Sequence, residues 1–362
     1  MSALNHMEAV PIVFRSFPVF RGTDGFRRLI RLDRTVFAVG MAVSLIVAAW
    51  LVLGMQTRAR EVVVILARTA SVTLKEGAAF ASVQFVRAVP SAAALSSLFT
   101  ELDYRLDDVR EGAAVPRVII DRIPADFEAM DSPEERKLLF AKTVLPIVLE
   151  TNMSILKDRA RLEELYDKDA SGKALDARER AWLERLAGRF EMDGVNLAEL
   201  RRRVDAVPPS LAIAQAALES GWGTSRLAQQ GHSLFGQKVQ RPDAGAAVRT
   251  GIAPAIPGGD DLIMRTFDSL PSTVKAYIHN LNTHPAYREF RERRADARAR
   301  GKALDGWYLA GYIKRYSERG RDYIKDVRGL IKTNDLGALD DARFSSGPPW
   351  PPAGLKTALG LI

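Results

Sequence analysis

The longest uninterrupted apolar pattern in the chain covers residues 36–55, VFAVGMAVSLIVAAWLVLGM, where no side chain is charged. At about 1.5 Å per residue, a helix of this length crosses the roughly 30 Å hydrocarbon core of a bilayer. A buried core helix and a cleaved signal peptide are the alternatives, but the apolar stretch of a signal peptide usually has only about 7–15 residues. The pattern therefore favours a retained transmembrane anchor.

Polar and apolar positions then predict a mainly helical chain. Residues 115–123, VPRVIIDRI, are typical of a short strand, and Ser132 with Glu135 forms a capping-box pattern that starts a helix running to about Tyr166. A second helix is expected over 177–190, since its apolar residues lie on one stripe. Residues 56–114 predict helix and strand pieces to which we assign no function, and 345–354, SSGPPWPPAG, predict an extended tail.

Residues 207–238 predict a helix, a sharp stop, a second helix and a loop. Pro208 and Pro209 suit a helix entry, and small or apolar residues follow as far as Leu218. Gly221 and Gly223 end the helix. This helix is therefore expected to be tightly packed, with Glu219 in its last turn.

The distribution of charge adds information mainly near the N-terminus, around the predicted transmembrane anchor. The formal net charge is +8, and residues 1–60 hold eight arginines against three acidic residues. Arginines 27, 28, 31 and 34 precede the apolar segment, which favours a cytoplasmic N-terminus and a periplasmic remainder by the positive-inside rule. No patch of basic and aromatic residues indicates nucleic-acid binding. Since cysteine is absent, disulfides and thiolate chemistry are excluded.

Glu219 is the candidate for acid catalysis. The C-terminal end of a helix carries partial negative charge, which disfavours an ionised carboxylate, and a neighbouring Trp222 would add desolvation. Both effects raise the pKa of a carboxyl group, as a general acid requires near neutral pH. The alternative is a solvated glutamate at a frayed helix end.

The run AQAALESGWGTSRLA, followed by HSLFG, resembles the signature of the bacterial glucosaminidases of glycoside hydrolase family 73, and more specifically that of Bax-type proteins. The similarity extends to residues 115–127, 135–152, 277–291 and 316–336. It implies a lysozyme-like α+β domain with a small β-lobe, and it implies that Glu219 is the catalytic acid.

Further site residues follow from the resemblance. Trp222 would stack on a sugar ring or pack in the core, and Phe235, in the LFG turn, would pack the cleft floor. A second carboxylate belongs on the lobe at 237–267, in which a strand is expected over 262–267. Asp261, just before that strand, is our choice over Asp260 and Asp243. Tyr316 is predicted to position the substrate near the acid, and Gln215, Asn280 and Tyr323 complete the predicted substrate-binding set.

The sequence thus predicts a basic cytoplasmic segment (1–35), an inner-membrane anchor (36–55), a linker (56–114), a helical extension (115–194), a catalytic domain (195–336) and a tail (337–362). The expected reaction is hydrolysis of β-1,4 bonds in peptidoglycan after N-acetylglucosamine. A lytic transglycosylase and a non-catalytic wall-binding protein are the alternatives. His279 and His284 are not spaced for a helical zinc pair, and neither a metal nor an organic cofactor is predicted.

Overall fold

The computed structural model describes residues 84–86, 89–240 and 262–346. The predicted anchor at 36–55, the basic segment before it and Asp261, with the alternatives Asp243 and Asp260, lie outside the described residues. The helices that the structure defines are α1 (Ala92–Glu101), α2 (Leu106–Arg110), α3 (Pro133–Ala170), α4 (Ala177–Arg189), α5 (Leu197–Arg203), α6 (Pro209–Ser220), α7 (Arg226–Gly231), α8 (Leu270–Thr283), α9 (Arg288–Ala299), α10 (Gly306–Leu309) and α11 (Arg321–Thr333). The prediction of a mainly helical fold is confirmed.

Helix α3 is the longest of these elements. The Ser132 side chain accepts a hydrogen bond from the Glu135 backbone N–H at 3.2 Å, so the predicted start is confirmed. The helix passes through Pro146 and ends four residues beyond the predicted Tyr166. Within the described ranges it is the one helix long and apolar enough to cross a membrane. Its apolar residues from Leu139 to Leu149 are largely buried in the protein, which accounts for their composition.

Helix α6 lies at the centre of the core. It is apolar around most of its circumference, and the residues from Pro209 to Ala217 are all buried. A helix with this pattern must be surrounded on several sides, and α6 contacts α3, α10 and α11. The tight packing predicted for this segment is thereby explained.

A smaller cluster joins the second half of α3 to α4 and α5. Leu183 and Leu186, on the predicted stripe of α4, are buried against Leu162 and Leu165 of α3. Asp176 caps α4 and makes a complete capping box with Glu179. The second half of α3 and α4 lie within the predicted extension (115–194), whereas α5 lies in the predicted catalytic domain (195–336), so this cluster spans the predicted boundary.

Strands are few and short in the described residues. Gln84–Val86 (β1) pairs in parallel with Val118–Ile120 (β2), the central part of the strand predicted at 115–123. Lys238–Gln240 (β3) pairs antiparallel with Leu262–Met264 (β4), which is shorter than the strand expected over 262–267. The β3–β4 ladder is the described part of the predicted lobe.

Two predicted boundaries need correction. One continuous core joins residues of the extension to those of the catalytic domain, because α3 packs directly on α6 and α8. Residues 337–346 are also not a loose tail. Leu339 is fully buried, and Val115 exchanges backbone hydrogen bonds with Arg343 and Ser345, at 2.8 and 2.9 Å. Apolar contact and backbone pairing thus extend the folded unit beyond residue 336.

A buried ion-pair network links α3 of the predicted extension to α9 of the predicted catalytic domain. Asp205, almost fully buried between α5 and α6, lies within 3.8 Å of Arg294 and accepts hydrogen bonds from Arg298 at 3.0 and 3.2 Å. Arg159 of α3 contacts the same carboxylate at 3.6 Å. These positive charges hold the pKa of Asp205 below its usual range despite burial.

Candidate active site

Glu219 is placed by the abrupt end of α6. Gly221, Trp222 and Gly223 all have positive φ angles of 59°, 57° and 82°, so the chain leaves the helix in a left-handed turn. The Ser220 hydroxyl donates to the Ala216 carbonyl at 2.5 Å and accepts from the Gly223 N–H at 2.9 Å. The last turn is therefore fixed, and it leaves Glu219 half-buried.

Glu219 lies in a cleft of about 1540 Å³. Its walls come from α3, the end of α4, the turn at 235–238, α8 and the loop at 315–319. The helical extension therefore contributes one wall of the same cleft. A groove of this size can accept several sugar rings.

A buried chain of hydrogen bonds leads to Glu219. The Tyr277 hydroxyl donates to the Gln215 side-chain oxygen at 2.6 Å, and the Gln215 amide donates to the Tyr323 hydroxyl at 2.9 Å. Since Tyr323 accepts from Gln215, its own proton is available for its hydrogen bond to the Glu219 carboxylate. Burial holds the pKa of Tyr323 and of Tyr277 far above the usual range, so both hydroxyls stay protonated.

The pKa of Glu219 is raised above its usual range because the carboxyl group is desolvated by burial. The hydrogen bond from Tyr323 and the positive charges of Arg319 and Lys238 act in the opposite direction, since they favour the ionised form. The direction of the shift agrees with the sequence-based expectation.

The turn at Gly236 lies directly against the Glu219 carboxyl group. Gly236, with φ of +60°, lies so close that an added Cβ would be 2.8 Å from a Glu219 carboxylate oxygen. Trp222, the expected cause of the desolvation, makes an edge-to-face contact with Phe140 of α3 and is absent from the described residues that line the cleft. The structure thus shows the packing that was the alternative for Trp222, because the left-handed turn directs its ring onto α3, and its sugar contact stays a prediction.

Phe235 and Tyr316 hold the turn that carries Gly236. The Phe235 ring stacks on Tyr277 with centroids 3.9 Å apart, and its backbone carbonyl accepts a hydrogen bond from the Tyr316 hydroxyl at 2.8 Å. Tyr316 lines the cleft and stacks on Tyr323. The structure thus places Tyr316 beside the acid, with its hydroxyl engaged in positioning the turn.

Three predicted substrate-binding residues are buried. Gln215 has no exposed surface, and Phe235 and Tyr323 expose 1% and 2%. Their side chains support the cleft from beneath, as predicted for Phe235, and the substrate contact predicted for Gln215 and Tyr323 is corrected to a positioning role. Asn280, in contrast, lines the cleft and hydrogen-bonds Tyr287, whose pKa is raised to about 12 mainly by burial.

Several cleft residues were not predicted from the sequence. Lys238 and Arg319 influence Glu219 through their charge, although no motif marks them. Glu150 of α3 lines the cleft, one of its oxygens is buried without a hydrogen-bond partner, and desolvation raises its pKa. Glu191 pairs with His279 at 2.9 Å on the cleft wall. In the described part of the chain, no group of three or more histidine and acidic residues is arranged to hold a metal ion.

A helical protein with a half-buried glutamate at a core-helix end inside a long cleft has the features of a glucosaminidase-domain protein. Consistent with that class, residues 196–336 match the family model described as mannosyl-glycoprotein endo-beta-N-acetylglucosaminidase. The chain is 34% identical to the Protein bax of Escherichia coli (strain K12) over 215 residues, 58% of this chain and 73% of that protein. The chain belongs to the Bax-type family of glucosaminidase-domain proteins.

Two other similarities are more limited. The chain is 29% identical over 121 residues to the peptidoglycan hydrolase FlgJ of Vibrio parahaemolyticus serotype O3:K6 (strain RIMD 2210633), covering 32% of this chain and 38% of that protein. The solved catalytic domain of the autolysin Auto from Listeria monocytogenes is 19% identical, with a TM-score of 0.28, over 49% of this chain and 97% of that domain.

Proposed function

We propose that this protein is a peptidoglycan hydrolase, an endo-β-N-acetylglucosaminidase with a lysozyme-like catalytic domain. It would cut the β-1,4 bond after N-acetylglucosamine, with Glu219 as the general acid. The observation that carries the proposal is Glu219 itself, a carboxyl with a burial-raised pKa at the end of a core helix inside a long cleft. Membership of the glucosaminidase-domain family supports the substrate class.

In the proposed reaction, Glu219 gives its proton to the glycosidic oxygen while the bond between that oxygen and the sugar C1 breaks. The electron pair stays with the leaving oxygen, and positive charge develops on the sugar ring. Water then attacks C1, and its proton goes to a carboxylate base. Either Asp261 on the lobe or the acetamido group of the substrate would stabilise the charged ring.

A lytic transglycosylase is the second candidate. Among the described residues, the charges that shift the pKa of Glu219 are those of Arg319 and Lys238, and no carboxylate contributes. The transglycosylase reaction needs one glutamate, which Glu219 supplies, and in it a substrate hydroxyl attacks C1 instead of water. The product would be an anhydro sugar, lighter by one water than the hydrolysis product.

We further propose that residues 36–55 anchor the protein in the inner membrane as a single pass. The N-terminus would be cytoplasmic and the catalytic cleft periplasmic, where peptidoglycan is accessible. The arginines before the apolar segment support this orientation.

The test of the activity is mass analysis of the fragments released from peptidoglycan by the full chain, purified in detergent. We expect fragments that end in a reducing N-acetylglucosamine. Glu219→Gln should lower the rate on the order of 10²–10⁴-fold, because amide protons cannot replace the acid. Glu289→Gln on α9, an exposed position outside the cleft lining, is the matched control and should keep full activity.

Other outcomes would redirect the proposal. Anhydro products would assign the transglycosylase reaction. Equal digestion by Glu219→Gln would remove Glu219 as the acid, and no released glycan from any variant would favour a non-catalytic wall-binding protein.

A further inference from the structure

Positive charge is concentrated around Glu219. Five exposed basic side chains line the cleft beside one exposed acidic one, Glu318, and we call the five the basic rim: Lys238, Arg265, Lys275, Arg315 and Arg319. The acidic residues of the other cleft wall are partly neutralised by pairing. Asp158 binds Arg189 at 2.9 Å, and Glu191 binds His279 at 2.9 Å. The cleft is therefore electrostatically asymmetric along its length.

Most of the basic rim is close to Glu219. The charges of Lys238 and Arg319 act directly on the pKa of Glu219. The Arg265 backbone N–H donates to the Gln237 carbonyl at 2.8 Å, which places Arg265 beside Lys238. Arg315 precedes Tyr316, whose ring stacks on Tyr323. The rim thus borders the place where the scissile bond would lie.

The folded protein gains little from these charges. In the described part of the chain, Lys238, Lys275 and Arg315 make no ion pair, whereas Arg319 pairs with Asp326. Clustered cations repel each other, and those near Glu219 lower the pKa of an acid that must retain its proton. A cluster whose members are mostly without an ion partner among the described residues, and which opposes both folding and acid catalysis, is explained if it binds an anion.

We infer that the basic rim binds the carboxylates of peptide stems carried by the glycan. The inference rests on the proposed function, which supplies the polymer. N-acetylglucosamine is neutral, whereas the muramic acid next to it carries a lactyl-linked peptide with free carboxylates. The rim therefore selects peptide-bearing glycan over glycan that has lost its peptides.

The test measures binding separately from turnover. The full chain with Glu219→Gln is mixed, in detergent, with purified peptidoglycan or with the same material stripped of its peptides by an amidase, and bound protein is quantified by sedimentation. The amidase leaves one lactyl carboxylate on each muramic acid in place of the several carboxylates of a peptide stem, so the comparison reports the stem. At about 50 mM salt we expect about three- to tenfold tighter binding to the peptide-bearing polymer, since exposed charge pairs contribute modestly. At about 500 mM salt the preference should largely disappear, because screening shortens the range of the charges.

Two double variants, each made in the Glu219→Gln protein, test whether the basic rim causes the binding preference. Lys275→Ala with Arg315→Ala should abolish most of the preference. Lys302→Ala with Lys332→Ala removes the same net charge at exposed positions outside the cleft lining and should keep it.

Equal binding of the two polymers by Glu219→Gln would overturn the inference, and so would an equal loss in both double variants. If the preference is found but the wild-type protein releases no glycan, the proposed hydrolase function fails while the peptide-binding rim stands.

Discussion

The protonation of Glu219 is governed by residues of two segments distant from it in sequence, 236–238 and 319–323. Tyr323 donates a hydrogen bond from α11, Gly236 closes over the carboxyl from the turn after α7, and Lys238 and Arg319 add positive charge. Burial raises the pKa while the other groups lower it. The net pKa, and hence the working pH of the acid, results from this balance.

Tyr323→Phe tests the balance. Loss of the hydroxyl removes a hydrogen bond that favours the ionised carboxylate, so the pKa of Glu219 should rise. Because a general acid fails when it loses its proton, the alkaline limb of the kcat/KM profile should move to higher pH, by about half a unit to one unit. The measurement is a pH series of initial rates on peptidoglycan.

Tyr312→Phe is the control for that variant, since its hydroxyl bonds Tyr308 outside the cleft lining. Its profile should match the wild type. A shift of the Tyr323→Phe alkaline limb to lower pH would contradict the assigned role of the Tyr323 hydroxyl.

Sequence reasoning placed Glu219 correctly at a helix end, because local helix and stop signals suffice for that. It could not place Trp222, since the direction of its ring depends on three successive left-handed residues and on the surface of α3. It also missed Lys238 and Arg319, which approach Glu219 only after the chain folds. The hydrogen-bond chain through Gln215 depends on tertiary contacts in the same way.

At the scale of the element, α6 is anchored at both ends. Its C-terminus is fixed by Ser220, and its N-terminus by Asp340. The Asp340 carboxylate accepts hydrogen bonds from the Ser210 N–H, the Ser210 hydroxyl and the Gly306 N–H, each at 2.8 Å. Burial raises the pKa of Asp340 to about 6.

Asp340→Ala should destabilise the protein by about 2–4 kcal/mol in urea unfolding at pH 7, because three donors lose their partner in a partly buried site. The exposed neighbour Asp341 provides the control, and Asp341→Ala should change the free energy of unfolding by no more than about 0.5 kcal/mol. Equal stabilities of the two variants would refute the anchoring role.

The raised pKa of Asp340 should make the free energy of unfolding depend on pH. Its folded pKa lies above the ordinary 3.8, so its protonation stabilises the fold fully below about pH 4, and this contribution is lost as the pH rises through 6. The loss of stability between pH 5 and pH 7 should therefore be smaller in Asp340→Ala than in the wild type.

Helix starts and stops were predicted well because capping residues act locally. Ser132 begins α3, and Gly221 ends α6, as expected. The strands were predicted too long, since their length depends on which partner strand is available for pairing. Asp340 escaped prediction because it lies beyond the region that resembles the family.

At the scale of the whole molecule, the extension and the catalytic region share one core and one cleft. Helix α3 packs on α6 and α8, and its surface lines the cleft that holds Glu219. The sequence suggested separate units because composition and motif change along the chain. The packing does not follow those boundaries, because the apolar face of α3 is buried against α6 and α8 of the predicted catalytic domain.

The proposed membrane orientation is a prediction for the whole molecule. In cells whose outer membrane has been permeabilised, added protease should digest the part of the full chain after residue 55 and leave a short membrane-embedded N-terminal fragment. An epitope tag at each end, followed by immunoblotting, reports this result. Protection of the C-terminal tag, with a cytoplasmic control protein also protected, would place the cleft in the cytoplasm and contradict the proposal.

The pairing of Val115 with Arg343 and Ser345 brings an early and a late part of the folded chain side by side. A ribosome makes Asp340 and this closing segment among the last residues of the fold. Until then the N-terminus of α6 lacks its carboxylate partner, and the helix that carries Glu219 is anchored at one end only. The helix that carries Glu219 is thus anchored at both ends only after the ribosome has made residues 340–345.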